Sequence, residues 1–203
     1  LFTWADDLVV SLSDDKVSKV YQEMKNELMA GQAEDIFLGE LNKIPSKQRI
    51  MEMMMKKSAG YSVEKPLFLG AALAGAGKKY FNVFKRIATP LGLAFQLKDD
   101  VLGMFGKRSE VGKPTDSDIK EGKITLLVYY ALKSGKFPKV FLRKVLGNKS
   151  ASPAQVRAFK KSIRECGSLE RVNVEIENYI LEAKRIVKRS PLPKEKSKDI
   201  YLA

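Results

Sequence analysis

Apolar residues recur along this chain at intervals of three and four, and almost every segment has helical rather than strand periodicity. Ser13 stands in a capping position ahead of Val17, Val20, Tyr21, Met24, Leu28 and Met29, which share one helical face and lead into Gly31-Gln32-Ala33-Glu34-Asp35. Pro45-Ser46 predicts the next helix start, with Ile50, Met53, Met54 and Lys57 at helical spacing. Met51, Met53, Met54 and Met55 could line an adaptable apolar site, although core packing is the simpler reading. The stretch from Pro66 to Gly77 is rich in small residues. Gly70, Ala71, Ala74 and Gly75 predict a packed interior helix that a neighbour approaches closely.

A long apolar pattern follows from Tyr80 to Phe105, with Pro90 expected to kink or break it. Gly106 to Gly112 reads as a polar loop, and Asp118 as a cap for a helix through Leu132. Ser152-Pro153 has the form of an N-cap and first helical residue. Gly167 closes that helix, and another runs from about Leu169 to Lys188 before Pro191 and Pro193 break the chain. No repeat, low-complexity tract or linker interrupts residues 1–203. The expectation is one all-α domain.

Composition narrows the chemistry. At 203 residues, 44% apolar and 30% charged, the chain has an ordinary globular balance. It holds no apolar run long enough for a bilayer span and opens with no signal-peptide pattern. Cys166 is the single cysteine, which makes a reducing cytoplasm the default location. With no histidine anywhere, a histidine-based nucleophile couple and a histidine zinc site are excluded, leaving carboxylate oxygens as the metal-binding chemistry. The net charge of +13 asks for an anionic partner. Its lysines are spread along the chain rather than gathered in a basic run interleaved with aromatics, which argues against nucleic acid. Both ends, Leu1-Phe2-Thr3-Trp4-Ala5 and Asp199-Ile200-Tyr201-Leu202-Ala203, read as interior stretches of something longer.

Phe95 to Thr125 (FQLKDDVLGMFGKRSEVGKPTDSDIKEGKIT) concentrates the candidate chemistry. Gln96, Asp99 and Asp100 lie three and four residues apart, near one helical face. Two neighbouring carboxylates in an apolar stretch need compensation, and a bound divalent cation gives it. Hard oxygen ligands point to magnesium held together with phosphate oxygens. An acidic pair on a helix surface beside Lys98 accounts for the same residues. Lys113 and Lys123 are point charges suited to phosphate, with Asp116 and Asp118 between them. Lys57-Ser58 adds a further lysine with an adjacent hydroxyl.

In order along the chain, these stretches resemble the trans-isoprenyl diphosphate synthases, in particular the geranylgeranyl type. Gly31-Gln32 with Glu34-Asp35 looks like the family's GQ-x-x-D segment, and Lys57-Ser58 through Pro66-Leu67 like its K-T/S segment. Phe95-Gln96-Leu97-Lys98-Asp99-Asp100 is similar to the second aspartate-rich motif, FQ-x-x-DD-x-x-D. Gly112-Lys113-Pro114, Asp118 and Gly122-Lys123-Ile124-Thr125-Leu126 match the loop after it. The resemblance implies an isoprenoid-synthase-type bundle of long helices around a central apolar cavity, working as a homodimer. It implies transfer of an allylic prenyl diphosphate to isopentenyl diphosphate with release of pyrophosphate. By motif match Asp99 and Asp100 would bind Mg2+, Lys57, Lys113 and Lys123 would contact diphosphate, and Gln96 and Ser58 would sit beside the allylic group. Gln32 and Phe95 join the implied substrate-binding set.

Two departures stand out. Gly103 replaces the last aspartate of the second motif, a DD-x-x-G form that the family contains. The first motif, DD-x-x-D, is not found: Asp6-Asp7 and Asp14-Asp15 are not followed by the required third aspartate. The expectation is therefore a chain that lacks the N-terminal helices and is inactive by itself. The alternative reading is a non-catalytic synthase-like subunit that regulates an active partner.

Overall fold

The structure, a computed structural model, describes residues 2–40, 44–106 and 116–192. Among these residues every regular element is a helix, as the periodicity requires. Helix α1 (Phe2–Ser11) ends in a turn, and α2 (Asp15–Glu40) follows. Ser13 does not cap α2. It sits in the left-handed region at φ 51°, and Asp14 takes the role instead. Its Oδ1 accepts from the Lys16 and Val17 amides at 2.8 and 3.0 Å. A carboxylate at this position also suits the positive end of the helix dipole.

Ser46 caps α3 (Lys47–Met54) by accepting from the Arg49 amide at 3.2 Å. A wide-turn π-helix (Met55–Glu64) continues from it without a gap and leads into α4 (Lys65–Leu73). The Lys65 amide reaches back five residues to the Gly60 carbonyl, the hydrogen-bond step of a π-helix. Helix α5 (Lys78–Phe105) carries Pro90 in its interior without breaking. After it come α6 (Ser117–Lys120), α7 (Leu126–Lys133) and α8 (Val140–Lys144). Thr125 caps α7 through its side chain. Ser152 opens α9 (Pro153–Glu165) with a reciprocal capping box involving Gln155, and α10 (Ser168–Arg189) follows Gly167 at φ 79°.

The chain forms two compact units, each assembled from separated segments. The first takes residues 1–32, 54–93 and 179–203. Its buried apolar side chains include Val17, Tyr21, Met24, Met54, Ile87 and Val187. Lys65 is also buried here, with its ammonium 2.9 Å from Glu27 and 3.6 Å from Glu64. The second unit takes residues 33–53 and 94–178. Leu97, Met104, Ile119, Leu126, Leu127, Phe159 and Ile163 form its centre, with Phe137 set edge-on to Phe159 at 5.4 Å.

The small-residue stretch behaves differently from expectation. Helix α4 stops at Leu73, Gly75 takes φ 64°, and added methyl groups at Gly70 or Gly75 would meet nothing within 4 Å. Small residues permit close approach without requiring it. Close approach occurs instead at Gly31, where an added Cβ would stand 2.4 Å from the Lys57 nitrogen. No helix of the described residues is long and apolar enough to cross a membrane.

Candidate functional site

Helix α5 splits the aspartate pair. Successive residues on an α-helix point about 100° apart. Asp99 and Lys98 therefore face solvent, while Gln96 and Asp100 are buried, Asp100 to 2% exposure. Gln96 Nε2 donates to Asp100 Oδ1 at 2.9 Å, the one-turn contact their spacing predicts. Lys123 comes in from the segment after the loop and donates from Nζ to the same oxygen at 2.7 Å. One buried carboxylate thus collects an amide donor and an ammonium. Burial pushes the Asp100 carboxyl up, with Lys123 and Gln96 pulling the other way. Burial alone would lower the Lys123 ammonium, but Asp100 and Asp118 outweigh it and hold the lysine protonated well above its ordinary range.

Asp118 is not the helix cap that its position in the sequence suggests. It lies within the short α6, and the residue that caps α7 is Thr125, whose hydroxyl accepts from the Val128 amide at 3.5 Å. The Asp118 carboxylate turns toward Lys123, at 3.5 Å, and toward the bare α-carbon of Gly103. Sequence reasoning missed this use. The signal available was the loss of a side chain at position 103 combined with a carboxylate five residues before Lys123.

The oxygen set suits a magnesium ion that keeps waters and phosphate ligands, not a closed protein cage. Asp99 is exposed, Asp100 is held by Gln96 and Lys123, and Asp118 lies beside them. Among the described residues no group of three or more His, Cys, Asp or Glu is arranged to hold a metal by itself. Phe95, on the same helix, is 55% exposed and offers an apolar surface. Lys113 lies outside the described residues.

Lys57 and Ser58 belong to the other unit, in the first turn of the π-helix, and both are half-buried. The wide turn sets their direction, and Gly31 sets the seat: an added Cβ there would meet Lys57 Cα at 2.8 Å. Gln32, the next residue, is exposed on α2. The described residues therefore bring Gln96, Asp100 and Lys123 together, and place Gly31 against Lys57.

Comparison with known proteins gives a consistent answer. The family described as Polyprenyl synthetase matches residues 1–163. A short chain isoprenyl diphosphate synthase of Methanocaldococcus jannaschii is 33% identical over 162 residues, covering 77% of this chain and 49% of its own length. A geranylgeranyl diphosphate synthase of Sulfolobus acidocaldarius is 38% identical over 120 residues, 58% of this chain and 36% of its own. Among solved structures, a geranylgeranyl pyrophosphate synthase of Corynebacterium glutamicum, complexed with isoprenyl diphosphate and magnesium, superposes with a TM-score of 0.92 at 27% identity. That match covers 99% of this chain and 58% of the other. The chain spans about half the length of the curated relatives it matches.

Proposed function

Because the chain belongs to the polyprenyl synthetase family, we propose that the whole protein lengthens an allylic prenyl diphosphate with isopentenyl diphosphate and releases pyrophosphate. The observation that carries this reading is the pairing of buried Asp100 with Gln96 and Lys123 on the FQLKDD helix. A buried carboxylate is retained at a free-energy cost, and these partners keep it ionised and oriented. Asp99 and Asp100 are the residues that would hold magnesium. The ion, when bound, supplies Lewis-acid pull on the leaving diphosphate and neutralises its charge.

The chain's own side chains have separate tasks in this reading. Gln96 fixes the Asp100 carboxylate through one oxygen. Lys123, protonated across the whole physiological range, is a permanent positive charge for the departing pyrophosphate. Lys57 and Lys113 add charges of the same kind, by the motif match, and Ser58 gives a hydroxyl beside the allylic group. Phe95 offers an apolar surface for the prenyl chain, with Gln32 as a further polar contact. Exclusion of water from the allylic cation falls to the apolar surroundings. A second copy of the chain is the proposed partner, in the cytoplasm.

The test is elongation by the purified full-length protein. Given magnesium, labelled isopentenyl diphosphate and allylic diphosphates of increasing length, it should form longer prenyl diphosphates with matching pyrophosphate release. Chelation should abolish both. Absence of any lengthened product with every primer overturns the proposal. Sedimentation of the same preparation reads the oligomeric state.

A further inference from the structure

The second aspartate motif lacks its last carboxylate at Gly103, yet the structure does not leave that place empty of charge. An ideal Cβ built on residue 103 would stand 2.8 Å from Asp118 Oδ2 and 3.5 Å from its Cγ. A contact under 3 Å means that a side chain at 103 and the Asp118 carboxylate in its present place exclude one another. Gly103 follows Asp99 by four residues and Asp100 by three, so it lies on the same stretch of helix surface. The carboxylate beside it arrives from fifteen residues downstream.

Asp118 is well placed for this. Its carbonyl accepts from the Lys123 amide at 3.0 Å, tying the two residues through the backbone as well as through their side chains. Gly122, at φ 76°, allows the tight return between them. Lys123 is thereby held between two carboxylates, Asp100 at 2.7 Å and Asp118 at 3.5 Å.

We propose that Asp118 replaces the missing motif carboxylate in space and acts as the positioning residue for Lys123, and that Gly103 is required because Asp118 uses the volume a side chain would fill. The role of Lys123 toward diphosphate rests on the reading above, whereas the pairing of positions 103 and 118 does not. Restoring the motif by Gly103→Asp would then do harm. It drives two carboxylates into contact and displaces the one that holds the lysine.

The experiment compares wild type, Gly103→Asp, Asp118→Asn, Asp118→Gly and the double variant Gly103→Asp/Asp118→Gly in the full-length protein. The first readout is the rate at which an amine-acylating reagent labels Lys123, followed by peptide mass spectrometry. Asp118→Asn keeps the shape and removes the charge. It should raise Lys123 labelling about tenfold while the thermal transition stays within a few degrees of wild type. Gly103→Asp should raise labelling too, and the double variant should return it to within about threefold of wild type, because neighbouring substitutions that share a partner are not additive.

The second readout is binding of inorganic pyrophosphate by calorimetry. Both single variants at 103 and 118 should weaken it, and the double variant should recover most of the loss. The proposal is overturned if Gly103→Asp leaves Lys123 protected, if Asp118→Asn leaves labelling unchanged, or if the double variant equals the product of its singles. If wild type binds no pyrophosphate, the functional reading fails while the labelling still decides the pairing. A Gly103→Asp protein that does not fold leaves the decision to Asp118→Asn and the double variant.

Discussion

Replacing Lys123 by methionine tests the central pair directly. The change keeps the apolar stem of the side chain and removes the ammonium that lies 2.7 Å from Asp100. Asp100 is 2% exposed, so its charge cannot turn to water. Breaking a buried pair from one side costs about 3–5 kcal/mol. The orphaned carboxylate has one escape, which is to take up a proton. From its ordinary value of 3.8, doing so at pH 7 costs about 4 kcal/mol at 1.36 kcal/mol per pH unit. That sets a ceiling on the carboxylate's own contribution, and the remaining Gln96 hydrogen bond reduces it. The expected loss is about 3 kcal/mol at pH 7.

The sign of the pH dependence follows. Without the lysine, Asp100 binds its proton more tightly folded than unfolded, so the variant gains on wild type as pH falls from 7 toward 4. Urea unfolding of wild type, Lys123→Met and Lys123→Met/Asp100→Asn at pH 4, 5, 6 and 7 measures it. The gap between wild type and the single variant should shrink with each unit of acidification, and the double variant should recover at least half of the pH 7 loss. A gap of constant size across the range, or a double variant no more stable than the single, would refute the reasoning.

Gly31→Ala places a methyl group 2.4 Å from a backbone nitrogen that cannot rotate away. We expect a loss of about 3 kcal/mol in unfolding free energy, at the upper end for overpacking, and a raised KM for the allylic diphosphate as Lys57 is displaced. Ser152→Ala removes one half of a capping box whose two hydrogen bonds measure 3.3 and 2.8 Å. It should cost about 1 kcal/mol in the same assay, without change in kinetic constants. Residues 1–203 by themselves, given magnesium and both diphosphates, should show no turnover, since only one aspartate motif is present; normal turnover would contradict the two-walled clamp.

Local rules were readable wherever the answer is local. Ser46, Ser152-Pro153 and Gly167 mark helix ends that the structure reproduces, because a cap depends on three or four consecutive residues. Ser13 and Asp14 are both capping residues, and a one-residue choice between them depends on the turn before α2. Asp118 looks like a cap for the same reason that Asp14 is one. Only the distant Lys123 and the vacancy at Gly103 divert it. The Gln96–Asp100 contact was legible from spacing, and the arrival of Lys123 was legible only through the motif. The π-helix was not legible at all. Its residues fit an ordinary helical period, and the close seat at Gly31 is a tertiary condition.

That wide turn has a consequence for the chain's register. From Lys47 to Leu73 the helix never stops, yet its pitch changes at Met55 and changes back at Lys65. Deleting one residue between those points would let the segment rewind as a plain α-helix. Every side chain of α4 would keep its neighbours in sequence but swing about 100° around the axis. Lys65, now buried against Glu27 and Glu64, would lose its partners although no residue touching it had been altered. The π-helix therefore acts as a phase setting, and single-residue insertions and deletions in 55–64 should be tolerated far less well than substitutions there.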